Sequence, residues 1–90
     1  MANPVVINIS NGIWAQVAAT VKKGTIVILE PRASYRVTYR VAGDPPPSTQ
    51  QEIDTAPKVQ SLTIMIQSDA DIDVYMYCVK GEDGQVTVYL

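Results

Sequence analysis

The sequence predicts an all-β fold, an antiparallel two-sheet sandwich of about seven short strands in the immunoglobulin-like style. Three observations lead there. Polar and apolar residues alternate with period two in the best-patterned segments, Asp71 to Val79 and Ser34 to Val41. Turn signals built on Gly, Pro and Asn punctuate the chain at short intervals. No segment repeats apolar residues at helical spacing for the length of an ordinary helix. A small barrel or a jelly-roll-like body is the alternative packing of the same strands. Residues 1–90 read as one domain.

In order, Val5 to Ser10 puts Val5, Ile7 and Ile9 on one face after an Asn3-Pro4 edge entry. Ser10-Asn11-Gly12 supplies a tight turn. Ile13 to Ala18 fits a helical turn or a strand, and the preceding Asn-Gly with the following Thr20-Val21 tips it to strand. Lys22-Lys23-Gly24 reads as a solvated loop tip. Thr25 to Glu30 is a β-branched run with apolar residues on both faces, which predicts a strand covered on both sides. Pro31-Arg32-Ala33 breaks it. Ser34 to Val41 then sets Tyr35, Val37, Tyr39 and Val41 against Arg36, Thr38 and Arg40.

The character changes at residues 42–60. Pro45, Pro46 and Pro47 in succession lack the amide donors a sheet ladder needs, so an exposed, extended loop is expected. Polyproline stiffness would let it dock as a strap at little entropic cost, although long loops are often merely tolerated. Ser61 to Gln67 resumes strand with Leu62, Ile64 and Ile66 inward, and Ser68-Asp69-Ala70 is read as a turn. In Asp71 to Val79, the central strand, Ile72, Val74, Met76 and Cys78 oppose Asp71, Asp73, Tyr75 and Tyr77. Gly81 to Gly84 closes a hairpin onto Gln85 to Leu90.

Composition removes most chemistries. Histidine is absent and Cys78 is the single cysteine, so Ser-His and Cys-His nucleophile schemes and the usual zinc shells cannot be built. An internal disulfide is impossible, and Cys78 shares the apolar face of its strand, where a buried small hydrophobe is expected. Asp69, Asp71 and Asp73 imitate the start of a calcium loop, but Val74 and Lys80 stand where that loop needs Gly and Glu. A net charge of -2 with no basic cluster disfavours nucleic acid. No run is long and apolar enough to span a membrane, and Met1-Ala2-Asn3-Pro4 has no signal-like pattern, which leaves folding in the cytoplasm as the expectation. No catalytic residue, cofactor or metal ligand is therefore expected.

What remains is contact chemistry. A chain of 90 residues buries only about two thirds of its unfolded surface, and with no Phe its core must come from Val, Ile and Tyr. Completion of that core against another subunit is expected. Arg36 and Arg40 share one polar strand face, and Asp71 and Asp73 share another with Tyr75 and Tyr77. The carboxylates fit a solvated face, an inter-subunit salt bridge or a cation shared with a neighbouring chain. Tyr and Arg are interface residues, so Arg36, Arg40, Tyr75 and Tyr77 form a candidate contact face with Pro45, Pro46 and Pro47. Tyr75 and Tyr77 fit equally well under a second sheet.

Over its whole length the chain resembles the small all-β virion proteins of tailed bacteriophages, in particular capsid decoration or cement proteins. The features that carry the resemblance are the Met-Ala-Asn-Pro start, the Tyr35-to-Val41 strand, the Pro-rich loop, and the hairpin joining Val74-Tyr75-Met76-Tyr77 to Asp83-Gly84-Gln85-Val86. The resemblance implies a non-enzymatic protein made in the host cytoplasm and carried in the virion. It would form a homo-oligomer, a trimer being one form, and bind neighbouring capsid protein without nucleic acid, membrane or small-molecule substrate. A host-directed inhibitor from a mobile element and a carbohydrate-binding module are the alternatives.

Overall fold

The computed structural model describes residues 4–47, 55–59, 61–79 and 81–90. Its strands are β1 (Val5–Ile9), β2 (Ala15–Ile28), β3 (Ser34–Val41), β4 (Thr63–Val79) and β5 (Gly84–Tyr89). They form one antiparallel sheet in the order β1-β5-β2-β4-β3. The all-β expectation holds, but the seven-strand, two-sheet sandwich is not confirmed.

The difference lies at two places read as turns. Lys22-Lys23-Gly24 sits inside β2 and Ser68-Asp69-Ala70 inside β4, so four expected strands are two long ones. Pairing runs Ala18↔Val74, Val21↔Ile72, Lys23↔Gln67. From the second to the third of these pairs β2 advances by two residues and β4 by five, which leaves Ser68 to Asp71 without direct partners in β2. Ser68 Oγ ties that bulge locally, donating to Ala70 O at 2.7 Å and accepting from Ala70 N at 3.2 Å. Ala19 and Thr20 bulge from β2 in the same way. Neither Lys22-Lys23-Gly24 nor Ser68-Asp69-Ala70 is a turn: Lys23 and Gly24 keep regular register with Gln67 and Ile66, and the extra residues that bend the two continuous strands lie at Ala19-Thr20 in β2 and Ser68 to Asp71 in β4. Gly24 has a packing reason of its own: a Cβ there would lie 2.8 Å from Leu90 Cδ2 and 2.9 Å from Tyr89 O.

Because β2 and β4 bend, the sheet curls around one core that includes the fully buried Ile9, Ile26, Val74, Met76, Cys78 and Val86. Tyr35 shows the curl directly. It belongs to the outermost strand β3, yet its hydroxyl accepts from Gln85 N of β5 at 3.2 Å and donates to Glu30 O at 2.8 Å. Asn11, just after β1, likewise reaches β4, its Nδ2 donating to Cys78 O at 3.1 Å.

Thr20 adopts φ +53°, a left-handed conformation that costs a β-branched residue roughly 1–2 kcal/mol. Thr20→Gly is therefore expected to raise stability by about 1 kcal/mol, read as a higher urea midpoint at unchanged slope. A lower midpoint would show that the threonine side chain anchors the bulge.

The Pro-rich segment is only partly the exposed strap expected. Pro45 and Pro46 are exposed, but Pro47 and Ala56 are buried. Beyond them the chain adds an edge to β3, with Val37 N donating to Pro57 O at 3.1 Å and Val59 N to Tyr35 O at 3.0 Å. Residues 48–54 of the expected loop lie outside the described residues, as do Met1 to Asn3, Gln60 and Lys80.

Candidate interaction surface

The second half of β4 is buried on both faces, which changes the role of the residues expected to form a contact patch. Asp73 is buried, and its carboxylate accepts from Thr20 N at 2.9 Å through Oδ1 and from Gly43 N at 3.2 Å through Oδ2. It ties the β2 bulge to the turn after β3, so it is a structural clamp where a solvated or inter-subunit carboxylate was expected. Charge-assisted bonds to two backbone amides are what make its burial tolerable. Asp71 is exposed, so the two do not present a paired acidic face.

Tyr75 is buried as well, in register between Gln16 of β2 and Thr38 of β3. Tyr77 is half-buried and packs on Trp14, with ring centroids 5.2 Å apart at 52°. Arg36 lies opposite Tyr77 and Arg40 opposite Asp73, both half-buried. Arg36 Nη1 donates to Ala56 O at 2.9 Å, holding the end of the Pro-rich segment against β3. The expected face is thus corrected at Asp73 and Pro47, which the fold buries, and of the two alternatives for Tyr75 the buried one holds. Pro45, Pro46 and Asp71 stay exposed without being drawn together.

A different surface emerges from the other half of the sheet. Directly opposed residues share a face. Thr25 lies opposite both Tyr89 and Met65, Val27 opposite both Thr87 and Thr63, and Thr87 opposite Val6. Two side-chain bonds tie residues of this face to one another, Thr25 Oγ1 to Met65 Sδ at 3.7 Å and Gln85 Nε2 to Asn8 Oδ1 at 3.0 Å. Leu29 continues the face, its N donating to Gln85 O at 2.8 Å. Across β1, β5, β2 and the start of β4 these positions hold no charged residue, and Lys23, exposed and opposite Gln67, places a charge at the border of the face.

Large apolar side chains on this face stand in solvent: Met65 is 73% exposed, Val6 54%, Tyr89 47% and Leu29 45%. The described residues leave uncovered a charge-poor surface with large apolar side chains, as interfaces present. Sequence reasoning missed it by reading Thr25 to Glu30 as covered on both sides. The signal was present in the run itself, since its second apolar face has to be covered by something.

Cys78 is fully buried, and burial, with the nearby Asp83 carboxylate adding to it, pushes its thiol up to about 11. At pH 8 only about one molecule in a thousand carries the thiolate. Alkylation of native protein is expected to be slower than that of urea-unfolded protein by two orders of magnitude or more, on the order of the thiolate deficit. Equal rates would place the thiol in solvent. Among the described residues no group of His, Cys, Asp and Glu could hold a metal ion, and no helix is long and apolar enough to cross a membrane. Compared with known proteins, the chain matches no protein-family model, no curated protein and no solved structure.

Proposed function

We propose that this chain is a non-enzymatic structural protein that binds other protein subunits through the charge-poor outer face around Met65, Thr25 and Tyr89. In its narrower form the proposal is a capsid decoration protein of a tailed bacteriophage, carried in the virion and stabilising neighbouring capsid subunits. The observation that carries the general reading is that face, on which Met65, Val6, Tyr89 and Leu29 stand exposed among Thr, Asn and Gln side chains with Lys23 at the border, uncovered among the described residues. Desolvating such a surface costs little, whereas burying an unpaired charge costs several kcal/mol, roughly enough to cancel a modest interface. The phage assignment is supported only by the resemblance in strand and turn style. The bends in β2 and β4 favour a sandwich-like body in which two halves of one sheet face each other.

The test is co-expression with the major capsid protein of the same genome, followed by density-gradient sedimentation. The protein is expected to travel with assembled shells. A protein that stays at the top of the gradient while shells form normally contradicts the decoration role and favours the inhibitor reading.

A further inference from the structure

The curl of the sheet leaves an apolar groove on the side away from the outer face. It has a volume of about 380 Å³ and lies between β1 and the first half of β2. Val5 and Ile7 form one wall, Val17, Ala18 and Ala19 the other, and Val88 the floor; no charged residue lines it. Both walls are strand edges. Among the described residues β1 pairs only with β5, and the β2 segment Ala15 to Val21 pairs only with β4. An apolar trough bordered by unpaired backbone edges selects an extended, uncharged strand over a helix or a compact ligand.

The strand that fits this description is part of the chain. β1, Val5-Val6-Ile7-Asn8-Ile9, has no charge, no proline and an unbroken register with β5. Of the devices that protect an edge strand from pairing it has shortness and the flanking Pro4, but within the strand neither a charge nor a bulge. Val5 is 53% exposed although it points to the groove side, so nothing among the described residues completes its burial. We infer that β1 of a second copy fills the groove, the two β1 strands pairing antiparallel about a two-fold axis.

A register with Val6 opposite Val6 of the partner subunit sets Val5 against Ile7 of the partner subunit. The parity places the partner's Val5 and the partner's Ile7 over the groove and joins the two charge-poor outer faces into one continuous surface. No charges meet their own copies. A five-residue strand spans roughly 17 Å and covers far less than the ~800 Å² per partner of a standard interface, so the dimer is weak, in the micromolar range. This inference rests on the adhesive reading of the chain but uses a surface separate from the outer face.

The experiment is sedimentation velocity from micromolar to near-millimolar protein, with amide hydrogen exchange at both ends of the range. A reversible monomer–dimer equilibrium is expected, with amides of Val5 to Ile7 gaining protection as concentration rises and those of Thr25 and Met65 unchanged. Val5→Lys and Ala19→Lys alter exposed side chains on opposite walls. Each is expected to weaken association by about tenfold or more while leaving the melting temperature in place. Met65→Lys on the outer face should leave dimerisation intact. A monomer at every concentration, a trimer, or association lost in Met65→Lys but kept in both groove variants overturns the inference. A monomer that still travels with capsid shells does so while leaving the proposed function standing.

Discussion

Asp73→Ala is expected to lower the melting temperature by roughly 10–20 °C, the equivalent of about 2–4 kcal/mol in a domain of this size. The carboxylate is the acceptor for Thr20 N and Gly43 N, so truncation leaves two amides short of a partner in a part-buried place. It also releases the bulge that Thr20 occupies at φ +53° and the turn that follows β3. Asp73→Asn keeps one oxygen acceptor and the volume, and is expected to lose about half as much. Thermal unfolding followed by circular dichroism measures both. A change under about 2 °C for the alanine variant would mean that water or another group replaces the clamp.

Gly84→Ala is expected to cost about 3 kcal/mol or more, or to prevent folding outright. A Cβ at Gly84 would lie 2.5 Å from Cys78 Sγ, 2.5 Å from Tyr35 Cε2 and 2.8 Å from Tyr35 Oη. Tyr35 cannot swing aside cheaply, because its hydroxyl is held on one side by Glu30 O and on the other by Gln85 N. The added methyl would therefore push β5 away from the core rather than displace a free side chain. Cys78→Ala removes the sulfur from that contact, so the double variant Gly84→Ala with Cys78→Ala should recover part of the loss. Urea unfolding of the four-member cycle checks this, and strict additivity of the two costs would show that the sites do not touch.

The strands were legible because alternation is a local property. Tyr35 and Val37 point inward as their spacing says, and so do Val86 and Val88. The bends were not legible. Lys-Lys-Gly serves equally well for a loop tip and for the run of a strand, and Ser-Asp-Ala for a turn and for a bulge, and only the register against a partner strand tells them apart. Joining four expected strands into two long ones followed from that ambiguity.

Tyr75 and Asp73 illustrate a second limit. Alternation assigns them to the face away from Val74 and Met76, correctly, but says nothing about whether that face meets water. Burial there comes from pairing with β2 and β3, and for Asp73 from the Thr20 and Gly43 amides, all distant in sequence. The outer face failed in the opposite sense. Val27 and Leu29 looked like core because they are apolar, yet the described residues supply no layer above them, leaving Val27 half-buried and Leu29 exposed.

Adhesion through the charge-poor outer face is tested most directly by capsid-shell binding of wild-type protein and of Met65→Lys combined with Tyr89→Lys. Both side chains stand in solvent, so the double variant should fold with an unchanged melting temperature. Its affinity for purified shells is predicted to fall by about tenfold or more relative to wild type. Undiminished binding by a folded double variant would contradict the claim.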